Sequence, residues 1–202
     1  MNEEVPLYVQ NTLKNLNIIW SKYRQEHIEF PTDSFKHLTF RKSYTAWMIQ
    51  EYANDPRDGT RRYVTVIFIP KTQTLNTEFT SMLITQAEEN KFEHVVIIHK
   101  TTTKIKANLQ KVKGIIWEVL SYDDLSYIAP ENVLVPKYRI LNEHIENPEQ
   151  IRKGLAHDDS QVKNHINQDI MSKLLGFRSG DIVEVTEFNS TIGVHKYLRR
   201  YT

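Results

Sequence analysis

The spacing of apolar residues along the chain divides it into segments with helical and with strand periodicity. Between Leu7 and His27, apolar side chains recur mostly three or four positions apart, which predicts an amphipathic helix. A second, short helix is predicted next, with Thr32 or Asp33 as its N-cap and with Phe35 and Leu38 on its inner face.

Three short runs further along are dense in β-branched and aromatic residues, which favours strands. These runs are Tyr63–Ile69, His94–Ile98 and Gly114–Val119, and a turn signal at Asp55–Gly59 precedes the first of them. The segments between the runs have helical spacing, through Leu75, Phe79, Met82, Leu83 and Ala87 in one and Ile105, Leu109 and Val112 in the other. Because apolar strands alternate with helices, we expect residues 1–130 to form an α/β domain with a covered sheet.

The alternation of helices and strands stops after Pro130, which predicts a domain boundary there. Residues 131–202 are expected to form a small α+β domain. Its predicted elements are a strand near Tyr138–Leu141, a helix opened by Asn147, Pro148 and Glu149, a helix from about Asp169, and paired strands over Asp181–Phe188 and Val194–Tyr201.

The composition narrows the classes of function. The chain has 202 residues and no cysteine, which excludes a disulfide scaffold, a thiolate nucleophile and sulfur-ligated zinc. Its formal net charge of +1 gives no field that attracts polyanions to the whole protein, so a nucleic-acid contact must be local. No apolar run approaches the roughly 20 residues that cross a membrane, so we expect an intracellular protein without membrane contact.

One local stretch is strongly basic. From Lys91 to Lys113 there are six lysines and a single acid, Glu93. A helix that starts near Thr102 would carry lysines along both flanks of its apolar stripe, and the predicted DNA-contacting residues are Lys104, Lys106, Lys111 and Lys113. Such lysines can contact phosphates without reading bases. The alternative is a solvated helix face that has no ligand.

A catalytic interpretation of the same region is weaker. Metal-dependent nucleases use an acid followed by an acid-x-lysine pair at the end of a strand, and Glu89 with Lys91, together with Asp55 or Asp58, has the required residue types. The pair, however, precedes a predicted strand instead of following one. The eight histidines do not occur at ligand spacing, and the chain has no glycine-rich phosphate loop. We therefore expect no catalytic site, no metal site and no cofactor.

The C-terminal region carries an ordered pattern: a Leu-Val-Pro-Lys segment, an aspartate before a helix, glycines at two turns with an arginine between them, and a glycine and an arginine on the last strand. The residues concerned are Leu134, Val135, Pro136, Lys137, Asp169, Gly176, Arg178, Gly180, Gly193 and Arg199. This pattern resembles the C-terminal assembly domain of the shared fifth subunit of eukaryotic nuclear RNA polymerases, a domain that also has an archaeal equivalent. The chain departs from the family at Tyr138, Ile170 and Leu198, and at Lys104–Lys106 in the N-terminal region.

The resemblance implies an N-terminal jaw domain, whose order of elements also resembles the restriction-endonuclease core, followed by the C-terminal assembly domain. It implies a non-catalytic subunit that docks on the largest catalytic subunit, contacts other polymerase subunits and helps to hold downstream double-stranded DNA during transcription. The partner-binding residues implied are Leu134, Val135, Pro136, Lys137, Arg178 and Arg199, whereas Asp169, Gly176, Gly180 and Gly193 are implied to be structural. The expected location is the nucleus, or a virus factory or virion if a large DNA virus encodes this divergent chain. A metal-dependent nuclease of restriction-endonuclease-like fold is the alternative.

Overall fold

The structure is a computed structural model that describes residues 4–24, 26–40, 44–55, 57–100, 109, 112–141, 169–191 and 193–201. Within these residues the chain has a mixed α/β fold with two sheets and three α-helices. No helix in this part of the chain has the length and apolar character needed to cross a membrane.

The first sheet contains five strands in their sequence order. They are β1 (Lys36–Thr39), β2 (Thr45–Asn54), β3 (Arg61–Phe68), β4 (His94–His99) and β5 (Ile116–Ser121). The first three strands are antiparallel neighbours, whereas β3, β4 and β5 run parallel. All six positions of β4 are buried, because a strand at the centre of a covered sheet exposes neither of its faces.

Of the helices in the described part of the chain, α1 (Leu7–Lys22) covers one face of this sheet and α2 (Thr77–Glu89) covers the other. Helix α1 packs its apolar stripe, which includes Leu16 and Trp20, against the side chains of Val64 and Val96. Helix α2 is capped by Asn76, whose side chain accepts a hydrogen bond from the Phe79 N–H, and it packs on the opposite face. Neighbouring residues of β4 therefore belong to different clusters, as the two-residue period of a strand requires.

The second sheet is antiparallel and has the order β6 (Lys137–Leu141), β7 (Ile182–Asn189), β8 (Gly193–Arg200). Helix α3 (Ile170–Leu174) precedes β7, and a 3-10 turn, Ala129–Glu131, lies between the two sheets in the chain. Although the sheets are separate, apolar residues of the second sheet such as Val183 and Tyr201 belong to the same buried cluster as α1. The predicted domain boundary at residue 130 falls within the 3-10 turn, and the division into two domains stays a prediction.

The predictions for α2, β3, β4, β6, β7, β8 and the helix after Asp169 are confirmed to within two residues or so at their ends. The short helix over residues 32–38 is wrong, because this segment contains β1. Phe35 packs on Phe68 in one cluster, and Leu38 packs in the other. A separation of three residues suits one helix face, but it also places two side chains on opposite faces of a strand.

Smaller differences occur at three other elements. Helix α1 ends at Lys22 instead of near His27, whose φ is +48°. Strand β5 begins at Ile116 because Gly114 has a φ of +86°. Strand β2 was not predicted from the sequence. The predicted helix around Asn147 lies outside the described residues, and of the predicted helix over residues 102–112 only Leu109 and Val112 are described.

Candidate functional site

The corner between α3 and β7 is built by residues of the family pattern. Asp169 caps α3, since its Oδ1 accepts a hydrogen bond from the Met171 N–H at 2.9 Å. The helix ends in a Schellman motif in which the Phe177 N–H donates to the Ser172 carbonyl and the Gly176 N–H donates to the Lys173 carbonyl. Gly176 adopts the left-handed φ of +69° that this motif needs. The predicted end of the helix at Gly176 is confirmed.

The turn after this motif leads into the last two strands. Gly180 has a φ of +94°, and its N–H donates to the Tyr201 carbonyl at 2.8 Å. The Asp181 carboxylate accepts from the Arg178 N–H at 2.7 Å. Gly193, with a φ of +80°, is the first residue of β8. Gly180 therefore lies in a tight turn before β7, as predicted.

Ion pairs connect this corner to the turn between β2 and β3. Arg57 donates to both oxygens of Asp181, at 2.8 and 2.6 Å, and to the Gly176 carbonyl at 2.9 Å. Arg178 donates from Nη1 to Asp55 Oδ2 at 2.7 Å. The guanidinium of Arg178, which the family resemblance assigns to a partner, is thus engaged within the chain, and its role in partner binding stays a prediction.

A second ionic cluster lies beside Gly176. Arg24, whose side chain is fully buried, donates to both carboxylate oxygens of Glu118, at 2.6 and 3.0 Å, and to both oxygens of Glu26, at 2.7 and 3.2 Å. His94 Nε2 lies 2.8 Å from Glu118 Oε1. Burial alone would raise the pKa of Glu118, but the charges and hydrogen bonds of Arg24 and His94 hold this pKa well below its usual range.

The segment before β6 exposes apolar surface. The side chains of Val133 and Leu134 are 90% and 86% exposed, although the Leu134 N–H is fixed by the Asn132 side chain at 2.9 Å. Val135 packs against the core, Pro136 is half-buried, and Lys137 Nζ donates to the Pro130 carbonyl at 3.2 Å. Of the four residues assigned to partner binding in this segment, Leu134 is therefore the one that presents a large apolar side chain to solvent.

Arg199 lies on β8 opposite Val183 in the strand register, and its guanidinium carbon is 4.9 Å from the centre of the Tyr197 ring. Its side chain is partly buried. Since Val183 belongs to the buried cluster, Arg199 lies on the side of the sheet that faces the core and not on the outer side.

The structure describes one of the four lysines predicted to contact DNA. Lys113 is exposed and lies at the amino end of β5, directly before Gly114. Lys104, Lys106 and Lys111 lie outside the described residues.

The residues of the nuclease alternative are placed as follows. Asp55 contacts Arg57, Arg62 and Arg178, and Asp58 pairs with Arg62 at 2.8 Å. Glu89 is the last residue of α2, and Lys91 follows it with a φ of +53°. Across the described residues, no group of three or more histidines and carboxylates is arranged to hold a metal ion.

Sequence reasoning missed both ionic clusters. A signal was present in Glu118, which interrupts the apolar run from Ile115 to Leu120, and in Arg24 and Glu26, which follow an amphipathic helix closely. A charge in a buried run requires a partner, but the sequence does not say which one.

No protein family matches this chain, and no curated protein is significantly similar to it in sequence. Its function therefore has to be argued from the residues of the site and from the pattern in the C-terminal region.

The cluster around Asp55 predicts an acid-sensitive stability. Burial alone would raise the pKa of Asp55, but the Arg57 N–H and the guanidinium groups of Arg178 and Arg57 outweigh it and lower the pKa to about 2, from 3.8. Because the pKa of Asp55 is lower in the folded than in the unfolded protein, the ionised carboxylate stabilises the fold by about 2 kcal/mol at pH values above the unfolded pKa. This contribution is lost as the pH falls from about 4 to about 2. We expect Asp55→Asn to destabilise the protein at pH 7 and to flatten the pH dependence of its free energy of unfolding in this window.

Urea unfolding at several pH values measures this difference. Asp33→Asn, at an exposed position, is the control and should leave the pH profile unchanged. An Asp55→Asn profile with the same acid slope as the unsubstituted protein would contradict the prediction.

Proposed function

We propose that this protein is a non-catalytic subunit of a multisubunit DNA-dependent RNA polymerase, which docks on the largest catalytic subunit and helps to hold downstream double-stranded DNA. The observation that carries the proposal is Leu134, an 86% exposed leucine within the Leu134–Lys137 segment that matches the family pattern. The nucleus, a virus factory or a virion would be the place of action.

The geometry of the C-terminal corner supports the family resemblance. Asp169 caps a helix, while Gly176, Gly180 and Gly193 all have the positive φ that disfavours other residues. The matched positions are therefore the ones on which this backbone path depends.

The exposed segment supports docking on a protein. Val133 and Leu134 are adjacent, large and apolar, and they precede β6, which is an edge strand of the three-stranded sheet among the described residues. Exposed apolar groups that cluster are typical of protein interfaces, in which a few buried side chains supply most of the binding free energy. Lys137, close behind them, can contribute to the polar rim.

The contact with DNA is supported by local charge. The excess of lysines between Lys91 and Lys113 is confined to one stretch of a nearly neutral chain, and Lys113 is exposed at the edge of the sheet. Contacts of this kind are weak for an isolated chain and gain strength inside a larger assembly that already holds the duplex.

A tagged chain purified from its native extract should bring down the largest polymerase subunit. Leu134→Asp should reduce that recovery by at least about tenfold, because a charge placed in the apolar centre of an interface costs about 2 kcal/mol or more. Leu7→Asp is the matched control, since Leu7 is also an exposed leucine, at 70%, in a segment that has no match to the family pattern. Both variants should fold normally, as circular dichroism can verify.

Point substitutions are preferable to truncation at residue 130, because the two sheets share a buried cluster. Absence of large polymerase chains from the purified material would contradict the proposed function. Equal recovery with Leu134→Asp and with the unsubstituted chain would contradict the docking segment. Magnesium-dependent cleavage of DNA that is lost in Glu89→Ala would replace the proposal with the nuclease alternative.

A further inference from the structure

We propose that the amino-terminal edge of β3, β4 and β5 binds a nucleic-acid phosphodiester backbone through Arg61, Lys91 and Lys113. The proposal rests on the proposed function for its biological setting. It places a phosphate-binding row at one defined edge of the first sheet, and two of the three residues, Arg61 and Lys91, were not among the predicted DNA contacts.

The parallel pairing of β3, β4 and β5 places the three cations at the same edge of the first sheet. Val64 of β3 pairs with His94 of β4, which in turn pairs with Ile116 of β5. Arg61, Lys91 and Lys113 each stand three residues before one of these partners. Arg61 is the first residue of β3, whereas Lys91 and Lys113 lie in the turns just before β4 and β5. Neighbouring strands are about 4.8 Å apart, so the starts of β3, β4 and β5 span roughly 10 Å. This span corresponds to about three nucleotides at roughly 3.4 Å each.

The three cations are available for a ligand. All three side chains are exposed, and among the described residues none of them lies within ion-pair distance of a carboxylate. Arg62, the neighbour of Arg61, differs in this respect, because it pairs with Asp55 at 3.0 Å and with Asp58 at 2.8 Å. Arg62 is thus engaged in ion pairs within the fold, whereas the three cations of the proposal have no carboxylate partner among the described residues.

Tyr52 holds Arg61 in place. The guanidinium carbon of Arg61 lies 4.2 Å from the centre of the Tyr52 ring, and the Tyr63 ring supports Tyr52 at 4.6 Å between centres. Stacking on a ring restricts the side chain but leaves the guanidinium N–H groups in the plane free to donate to phosphate oxygens. Because Tyr52 is 51% exposed, the stacked pair is at the surface, and Tyr52 acts as a positioning residue for Arg61.

The surface beside Arg61 is concave. An open cleft of about 510 Å³ is lined by Arg61, Arg62, Glu93 and the residues Gly114–Ile116. Glu93 is the acid in this lining, and its carboxylate is engaged by the Tyr63 N–H at 2.9 Å. Arg62 is neutralised by its pairs with Asp55 and Asp58, so Arg61 is the cation of the lining that a ligand can reach, and Lys91 and Lys113 add positive charge at the same edge of the sheet.

The test is fluorescence anisotropy of the full chain with labelled duplex and single-stranded DNA over a range of salt concentrations near 50 mM. Replacing Arg61, Lys91 and Lys113 with alanine should weaken binding by about tenfold or more at low salt. The slope of log Kobs against log salt should become shallower by about 2 for a single strand and by about 2.7 for a duplex. Whichever DNA, duplex or single-stranded, loses more affinity in this variant is the form that the three residues bind.

The matched control replaces three other exposed basic residues, Lys14, Lys22 and Lys196, which belong to α1 and β8. It should leave the salt slope unchanged although the net charge changes equally. Tyr52→Ala should weaken binding. Tyr52→Phe should bind as strongly as the unsubstituted chain, since phenylalanine retains the ring face on which Arg61 stacks and lacks only the hydroxyl. If Arg61 only stabilised the fold, the Arg61, Lys91 and Lys113 variant would not change the salt slope more than the control variant does.

A variant of Lys104, Lys106 and Lys111 completes the set, because these lysines belong to the same basic stretch of the sequence. If it changes the slope whereas the Arg61, Lys91 and Lys113 variant does not, the proposal is overturned. An equal loss with the control triple variant, which indicates a response to net charge only, also overturns it. Recovery of the largest polymerase subunit is read separately, so failure of the row and failure of the proposed function are distinguishable.

Discussion

Arg24→Met is expected to destabilise the protein by about 3–5 kcal/mol, the range found when one partner of a buried ion pair is removed. Methionine fills much of the space of the arginine chain beside Trp20, whose ring centre is 3.7 Å from the guanidinium carbon. It supplies no charge, however. Glu118 and Glu26 would then remain buried without the guanidinium to which both are hydrogen-bonded.

A compensating variant separates this cause from a loss of packing. In Arg24→Met with Glu26→Gln and Glu118→Gln, the uncompensated charges are gone, and a large part of the lost stability should return. Urea unfolding followed by tryptophan fluorescence measures the free energies, and Lys22→Met, at the exposed last residue of α1, is the control. A cost below about 1 kcal/mol for Arg24→Met, as is usual for surface pairs, would contradict the prediction.

Gly176→Ala is expected to cost more than an ordinary glycine replacement in a turn, about 3 kcal/mol or more in total. A left-handed φ costs a residue with a Cβ about 1–2 kcal/mol. At Gly176 a Cβ would in addition overlap the guanidinium of Arg24, with the nitrogen Nε only 2.9 Å away. Arg24 cannot move aside cheaply, since its hydrogen bonds to Glu26 and Glu118 hold it in place.

The chain offers a matched control for this substitution. Gly180 has a φ of +94°, and a Cβ there would meet no atom within 4 Å, so Gly180→Ala should cost only the backbone strain. In the Arg24→Met background, the cost of Gly176→Ala should fall towards that of Gly180→Ala, because the obstructing guanidinium is absent. Equal costs of the two alanine variants in the unsubstituted chain would show that the close approach of Arg24 has no energetic weight.

The sequence predicted those elements for which local patterns are strong. Helix α2 has a clear apolar stripe, and β4 is apolar throughout its centre. The glycine at position 176 marks the end of α3, where the backbone has a positive φ. Strand β1 was predicted wrongly because the three-residue spacing of Phe35 and Leu38 is compatible with both a helix and a strand. Only its pairing with β2 decides between them, and that pairing is not local.

The candidate site was predictable to a smaller extent. The exposure of Leu134 could not be read from the sequence, since a leucine in an apolar run is usually buried. The contacts of Arg178 with Asp55 and of Arg57 with Asp181 join residues more than 100 positions apart. Likewise, the proximity of Arg61, Lys91 and Lys113 depends on the parallel pairing of β3, β4 and β5, which brings three separated segments to one edge of the sheet.

The two ionic clusters and the shared buried core also have a mechanical consequence. A chain anchored at Leu134 and loaded at Arg61 would carry the force through Arg57 and Asp181 and through the contact of Arg24 with the corner, instead of bending at residues 129–131. If both proposed contacts form, such a chain would act as a rigid connection between them. A movement of DNA bound near Arg61 would then be transmitted to the docking segment at Leu134, because no hinge between them would take up the motion.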